Sequence, residues 1–350
     1  MDRVVSKHLF NHQLNGVVDP ETLEKAAAVE GNEQWEKMMA LVDPALSIDE
    51  WIKGSRKLYD FLFGMLEQNY ELTEASNACI HSKFEVPPRD GNDAHVTVLV
   101  HTPKTLETTQ DKAAVIYAHG GGVVAGTAEM FQPWLSKYAV TCNVVYFNVD
   151  YRLAPETKCP KNVFDFYCAI KHIIEHASEF GVDAGKIAIA GDSGGGYITF
   201  GAMVMLAQKD EGHLIKLAIP GVPMIDDYEF GDPNSMTKEE KENAPIMKKA
   251  WECIATDLEA QRLAADPLLF PAKANDELIA KFPPVIIWEC EFDFFITAAF
   301  RMAMRLRRAG RLLEFYVMPG ARHGAEAEPG TKLFKQSLED MKLALDNYLF

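Results

Sequence analysis

Lys186-Ile-Ala-Ile-Ala190-Gly191-Asp192-Ser193-Gly194-Gly195, with the helical stretch Gly195 to Lys209 behind it, is the segment on which the fold reading turns. A short apolar run of strand length leads straight into a serine flanked by glycines. Its match to G-x-S-x-G takes its meaning from this setting: a strand, a sharp turn and a helix lift the serine above a sheet. Glycine is needed there because the turn is strained and its flanks pass close together. The following helix directs its first amides toward developing negative charge. Taken alone, five such residues would serve equally as a phosphate-binding or plain βα turn. The strand before and the helix after favour a nucleophilic serine at 193.

Working outward, similar apolar runs recur at Ala113 to Ala118, Asn143 to Val149 and Val285 to Trp288. Runs of this kind suit strands buried on both faces of a parallel sheet. Helical segments at Val163 to Phe180 and Thr297 to Ala309 separate them, and that alternation predicts a doubly wound α/β sheet. Ile80 to Val86 and His95 to His101 read as earlier strands, the second alternating at period two. Residues 1–75 read as helical, with Asp19-Pro20-Glu21 and the capping box Ser47-Ile-Asp-Glu50 as helix starts. Residues 226–266 are acidic and then helical, and too long for a plain loop. The expected division is an N-terminal helical cap region at 1–75 and a catalytic domain at 76–350, with 226–266 as a second cap insertion. Phe61, Met65 and Tyr70 stand at helical spacing and are read as core in preference to an acyl-pocket lining.

His119-Gly120-Gly121-Gly122 follows the run Ala113 to Ala118. Successive glycines leave backbone N–H groups unshielded, as acyl transfer requires where a carbonyl oxygen becomes an oxyanion. A serine needs a base, and the base a carboxylate to orient it. Two histidines follow Ser193. His213 lies in the polar turn Lys-Asp-Glu-Gly-His and reads as surface; His323 follows the strand-like Phe315 to Gly320 and is the candidate base. Asp293, after the run Val285 to Trp288, is the candidate acid, with Glu289 and Glu291 as rivals.

Composition is that of an ordinary globular chain, and the net charge of −16 argues against nucleic acid or an anionic membrane surface as partner. The basic cluster Arg301, Arg305 and Arg308 falls at helical spacing opposite Phe300, Met304 and Leu306, and reads as a solvated helix face. Six cysteines form no CxxC pair and no Cys/His cluster, so no metal site is expected. The N-terminus lacks the apolar core of a signal peptide, and no stretch reaches membrane-span length. A reduced, cytoplasmic setting is expected, and several cysteines inside apolar runs, such as Cys142, read as buried free thiols.

From about residue 80 onward the chain resembles the hormone-sensitive-lipase-like family of α/β-hydrolase carboxylesterases. The resemblance rests on His119-Gly-Gly-Gly122, Asp150-Tyr-Arg-Leu-Ala-Pro-Glu156, Gly191-Asp-Ser-Gly-Gly195, Asp266-Pro-Leu-Leu-Phe-Pro271, Glu291-Phe-Asp293 and His323-Gly324, in the family's order. It implies a mostly parallel eight-stranded sheet with helices on both faces and a helical cap. It also implies a triad of Ser193, Asp293 and His323, and an oxyanion hole from the N–H groups of Gly121, Gly122 and Gly194. Asp150 to Glu156 would brace the site without taking part in the chemistry. A small-molecule ester of short to medium acyl chain is the implied substrate, no cofactor is implied, and a homodimer is a family expectation.

Three positions depart from the family pattern. Gly194 replaces an alanine, which should keep the N–H donor and loosen the turn. Phe294-Phe295 replaces Pro-Leu after the acid, without the second acidic residue. Ala325 replaces the phenylalanine of His-Gly-Phe, removing an aromatic beside the base. Amide, lactone or thioester cleavage, or acyl transfer, would use the same residues. A non-catalytic ligand receptor on the same fold is the remaining reading, disfavoured because His323 is present.

Overall fold

The computed structural model describes residues 18–21, 24, 33–66, 69–227 and 237–350. The parts of the expected cap region at 1–17, 22–23, 25–32 and 67–68, and of the insertion at 228–236, lie outside the described residues.

Strand β3 (Lys112–Ala118) shows why its sequence carries no charge after Lys112. Ala114, Ile116 and Ala118 pack into one core and Ala113, Val115 and Tyr117 into another, so no position among them is left for a charged side chain. In β5 (Val182–Asp192) Ile187 and Ile189 alternate with Ala188 and Ala190 in the same way. The other strands are β1 (Cys79–Val86), β2 (Val96–Pro103), β4 (Val145–Asp150), β6 (Leu217–Gly221), β7 (Val285–Phe292) and β8 (Leu312–Arg322). They form one eight-stranded sheet in the order β1-β2-β4-β3-β5-β6-β7-β8. β2 pairs antiparallel with both β1 and β4, and every later pairing is parallel.

Ahead of the sheet lie α1 (Glu33–Met39), α2 (Ile48–Leu66) and α3 (Tyr70–Asn77). Within the sheet region lie α4 (Ala128–Cys142), α5 (Lys161–Glu175) and α6 (Gly194–Gln208); α7 (Lys238–Ile254), α8 (Leu258–Leu263) and α9 (Asp276–Ala280) follow β6; α10 (Ile296–Arg308) and α11 (Lys332–Tyr348) complete the chain. Through Phe131, Leu135, Phe334 and Leu338, α4 and α11 cover one face; through Phe166, Ile170, Phe200, Met302 and Leu306, α5, α6 and α10 cover the other. Helix α6 is buried from Gly194 to Ala207, and its sequence is accordingly apolar all round. The capping box forms at the start of α2, where Ser47 N–H donates to Glu50 Oε2 at 3.1 Å and Glu50 N–H to Ser47 Oγ at 3.3 Å.

Two expectations are corrected. On α10 the core face is Ala299, Met302, Ala303 and Leu306; Phe300 (55% exposed) and Met304 (37%) look outward with the arginines. Arg305 is also no free surface group, since its guanidinium donates to the Ala272 and Ala274 carbonyls and pairs with Asp276. Met65 and Tyr70, 52% and 75% exposed, do not belong to the core, whereas Phe61 is half-buried. An apolar residue near the end of a helical stripe need not face inward once the helix has run past its partner.

The Asp150 to Glu156 motif has a structural explanation at each polar residue. Asp150 Oδ1 accepts the Ala128 N–H at 2.8 Å at the start of α4, and Tyr151 Oη donates to the His119 carbonyl at 2.7 Å. Arg152 donates to both oxygens of the fully buried Asp165 and to Asn92 and Asp93.

Candidate active site

Ser193 sits between β5 and α6 with φ 59° and ψ −117°, a conformation that a serine adopts only where its surroundings impose it. Its N–H donates to the Gly221 carbonyl at 3.0 Å, while its own carbonyl accepts from Tyr197 at 3.1 Å and Met224 at 3.2 Å. The turn is crowded enough that a Cβ on Gly195 would stand 2.0 Å from the Ala118 carbonyl oxygen. No larger residue fits there without moving β3.

The three side chains singled out in sequence meet at this point. His323 Nε2 lies 3.0 Å from Ser193 Oγ, and His323 Nδ1 lies 2.7 Å from Asp293 Oδ2. A neutral imidazole with Nδ1–H donating to the carboxylate leaves Nε2 to accept the serine proton. Asp293 is fully buried, its Oδ1 accepting the Phe295 N–H at 2.8 Å. The rivals go elsewhere: Glu291 Oε2 accepts the Gly320 N–H at 2.8 Å, and burial together with the Asp293 charge pushes the fully buried Glu289 well above the carboxylate range. His213 is exposed on its turn.

Burial by itself would lower the pKa of His323. The charge and hydrogen bond of Asp293, aided by Glu326 and Asp192, outweigh it, so the imidazole titrates above its ordinary value of 6.5. Glu326 escaped the sequence reading because it looks like one acid of a polar tail, Ala325-Glu-Ala-Glu-Pro329. It is in fact buried, accepts the Cys290 thiol at 3.3 Å, and is pushed up by burial to about 7. Asp192, behind the serine, accepts the Tyr117 hydroxyl at 2.6 Å and is raised by burial to about 6.

The glycine trio lies over the turn. A Cβ on Gly120 would stand 3.7 Å from the Ser193 Cβ, and one on Gly194 would stand 2.7 Å from both Gly122 N and Val123 N. Gly194 is therefore more than a loosened turn: the 120–123 loop occupies the space of the missing methyl. Gly120 thus lies against Ser193, and Gly122 against Gly194. His119 is held between Phe131 and Tyr151, with ring centroids 5.3 and 4.4 Å away. Burial lowers its pKa to about 4, so the ring is neutral, and its Nδ1–H donates to the Gly120 carbonyl at 2.8 Å.

The base has aromatic neighbours even though residue 325 is alanine, and they come from the two residues that follow Asp293. The Phe294 ring stacks obliquely on His323 at 4.4 Å, and Phe295 meets the same imidazole edge-on at 5.5 Å.

Known proteins agree with this architecture. The family model described as alpha/beta hydrolase fold matches residues 115–327, more than half of the chain. The chain is 30% identical over 236 residues to the carboxylesterase NlhH of Mycobacterium tuberculosis, covering 65% of this chain and 70% of that one. It is 30% identical over 178 residues to the esterase LipI of the same species, covering 50% of this chain and 51% of the relative, so that match spans about half of LipI. A segment of 94 residues, 27% of this chain, is 34% identical to mouse hormone-sensitive lipase, of which it covers 12%. Among solved structures a bacterial heroin esterase superposes with a TM-score of 0.78 at 25% identity, over 96% of this chain and 99% of that one. The chain belongs to the alpha/beta hydrolase fold family.

Proposed function

We propose that this protein is a serine hydrolase that cleaves carboxylic esters through an acyl-enzyme. The observation that carries the reading is the unbroken chain Ser193 Oγ, His323 Nε2, His323 Nδ1, Asp293 Oδ2, with contacts of 3.0 and 2.7 Å. Ester cleavage by NlhH, LipI and the heroin esterase, as their names state, supports the choice of bond.

His323 takes the Ser193 proton as Oγ attacks the ester carbonyl, and Asp293 stabilises the imidazolium that results. The oxyanion forms within reach of the N–H groups of Gly121, Gly122 and Gly194, and α6 adds the positive end of its dipole. His323 then protonates the departing alkoxide. In the second half it deprotonates a water that attacks the acyl carbonyl, and Ser193 Oγ leaves as the alcohol with the returned proton.

The helices of 33–77 and 238–263 form the proposed cap, in keeping with Lys249 of α7 donating to the Leu46 carbonyl ahead of α2. A small ester of short to medium acyl chain is the proposed substrate, and a homodimer the proposed assembly. Six cysteines buried as free thiols support a reducing compartment such as the cytoplasm. Among the described residues no helix is long and apolar enough to cross a membrane. Turnover of 4-nitrophenyl acetate tests the reading: wild type hydrolyses it and Ser193→Ala does not. Equal turnover by the two would refute it.

A further inference from the structure

The loop that would hold the oxyanion is strained. Gly121, Gly122 and Val123 have φ of 118°, 59° and 64° in succession, and valine at positive φ is a conformation L side chains resist. Such a backbone persists only where neighbouring groups hold it. One neighbour comes from the helical region ahead of the sheet. Arg56 of α2 donates from Nε to the Val124 carbonyl at 3.0 Å and from Nη2 to the Ala154 carbonyl at 3.2 Å. The same guanidinium makes a two-pronged pair with Glu156, Nη1 to Oε1 at 2.8 Å and Nη2 to Oε2 at 2.7 Å. Ala154 N–H in turn donates to the Val123 carbonyl at 2.8 Å, closing a ring of contacts around the Val123–Val124 peptide. One turn along α2, the Tyr59 ring stands 3.3 Å from where a Cβ on Gly121 would be.

We propose that Arg56 is a positioning residue for ester hydrolysis: α2 clamps the 121–124 loop through Arg56, with Glu156 orienting the guanidinium, and so sets the oxyanion donors. The inference rests on the serine-esterase reading. Only a planar fork with several donors reaches two carbonyls and a carboxylate together; lysine, a point charge, can serve one or two of them. Because the loop is aimed at the transition state and not at the substrate's bulk, loosening it lowers kcat and leaves KM nearly alone.

The test is steady-state hydrolysis of 4-nitrophenyl acetate and butyrate by full-length wild type, Arg56→Ala, Arg56→Lys and Glu156→Ala. A small misplacement of a catalytic group costs up to about a hundredfold, so Arg56→Ala is expected to lose about tenfold or more in kcat on both esters, with KM within about threefold. Arg56→Lys stays low, and millimolar guanidinium ion restores part of kcat in Arg56→Ala alone. Glu156, whose side chain is 61% exposed, can be truncated without threatening the fold. Glu156→Ala is expected to show a smaller loss of the same kind, and it decides the matter if Arg56→Ala does not fold. A raised KM with kcat preserved, or kcat within twofold of wild type in the deciding variant, overturns the clamp. Wild type that neither hydrolyses esters nor reacts with a fluorophosphonate would instead overturn the esterase reading, and the clamp with it.

Discussion

The Phe294 ring lies 4.4 Å from the His323 imidazole, tilted 34° to it, so the base has an aromatic neighbour although residue 325 is alanine. An aromatic face there shields the imidazole from water and favours its charged form by a modest amount, about 0.5–1 kcal/mol for an exposed pair. Phe294→Ala should therefore lower kcat for 4-nitrophenyl butyrate by about two- to fivefold, whereas Phe294→Tyr, which keeps the ring, should leave it near wild type. Equal rates in all three proteins would show that the contact is only packing.

Gly194 carries a second expectation. A methyl group there would meet Gly122 N and Val123 N at 2.7 Å, closer than real Cβ contacts come. Gly194→Ala must displace the 120–123 loop, and if that loop holds the oxyanion as proposed, kcat/KM should fall by about tenfold or more while the thermal midpoint drops only a few degrees. A variant as active as wild type would mean that the loop yields at no cost to the chemistry.

The pH dependence follows from the groups around His323. Its pKa stands above 6.5 because the Asp293 charge and hydrogen bond overcome burial, so the acid limb of kcat/KM is expected above 6.5. Glu326 contributes to that rise only when ionised, and its own pKa is about 7. Glu326→Gln should move the acid limb to lower pH, and an unmoved limb would exclude the coupling. The sign for stability is also fixed. A carboxyl raised from 4.5 to about 7 in the folded state costs stability as pH rises through that interval. Glu326→Gln should thus be more stable than wild type at pH 8.5 relative to pH 4, as measured by thermal midpoints.

How much of this was legible beforehand depended on sequence distance. Ser193 could be read because its strand, turn and helix are contiguous, and His323 and Asp293 because each ends an apolar run in the required order. The doubly wound sheet was legible for a related reason: strands such as β3 bury both faces and therefore show no charged residue from Ala113 to Ala118. The contacts that were not legible join distant loops. Arg56 meets Glu156 across 100 residues, and Phe294 meets His323 from another loop, and neither leaves a periodic trace. Glu326 was hidden because a carboxylate in a polar tail gives no sign of being buried. Phe300 and Met304 were misplaced for the opposite reason, since apolar spacing alone cannot say which stripe of α10 meets the sheet.

Beneath the site, Asp165 holds Arg152 with both oxygens and is itself fully buried. Removing Asp165 leaves the half-buried Arg152 with Asp93 as its remaining carboxylate and strips the buried ends of several hydrogen bonds of their acceptor, at a cost of about 1–3 kcal/mol. Asp165→Ala should lower the urea midpoint accordingly. A change under about 1 kcal/mol would place the pair among surface ion pairs in its worth.

The central claim is that Ser193 Oγ is a nucleophile activated by His323, and intact-protein mass after brief exposure to a fluorophosphonate tests it most directly. Wild type should gain the mass of one phosphonyl adduct, Ser193→Ala none, and His323→Ala little in the same interval. An adduct of equal extent on Ser193→Ala, or none on wild type, would contradict the account.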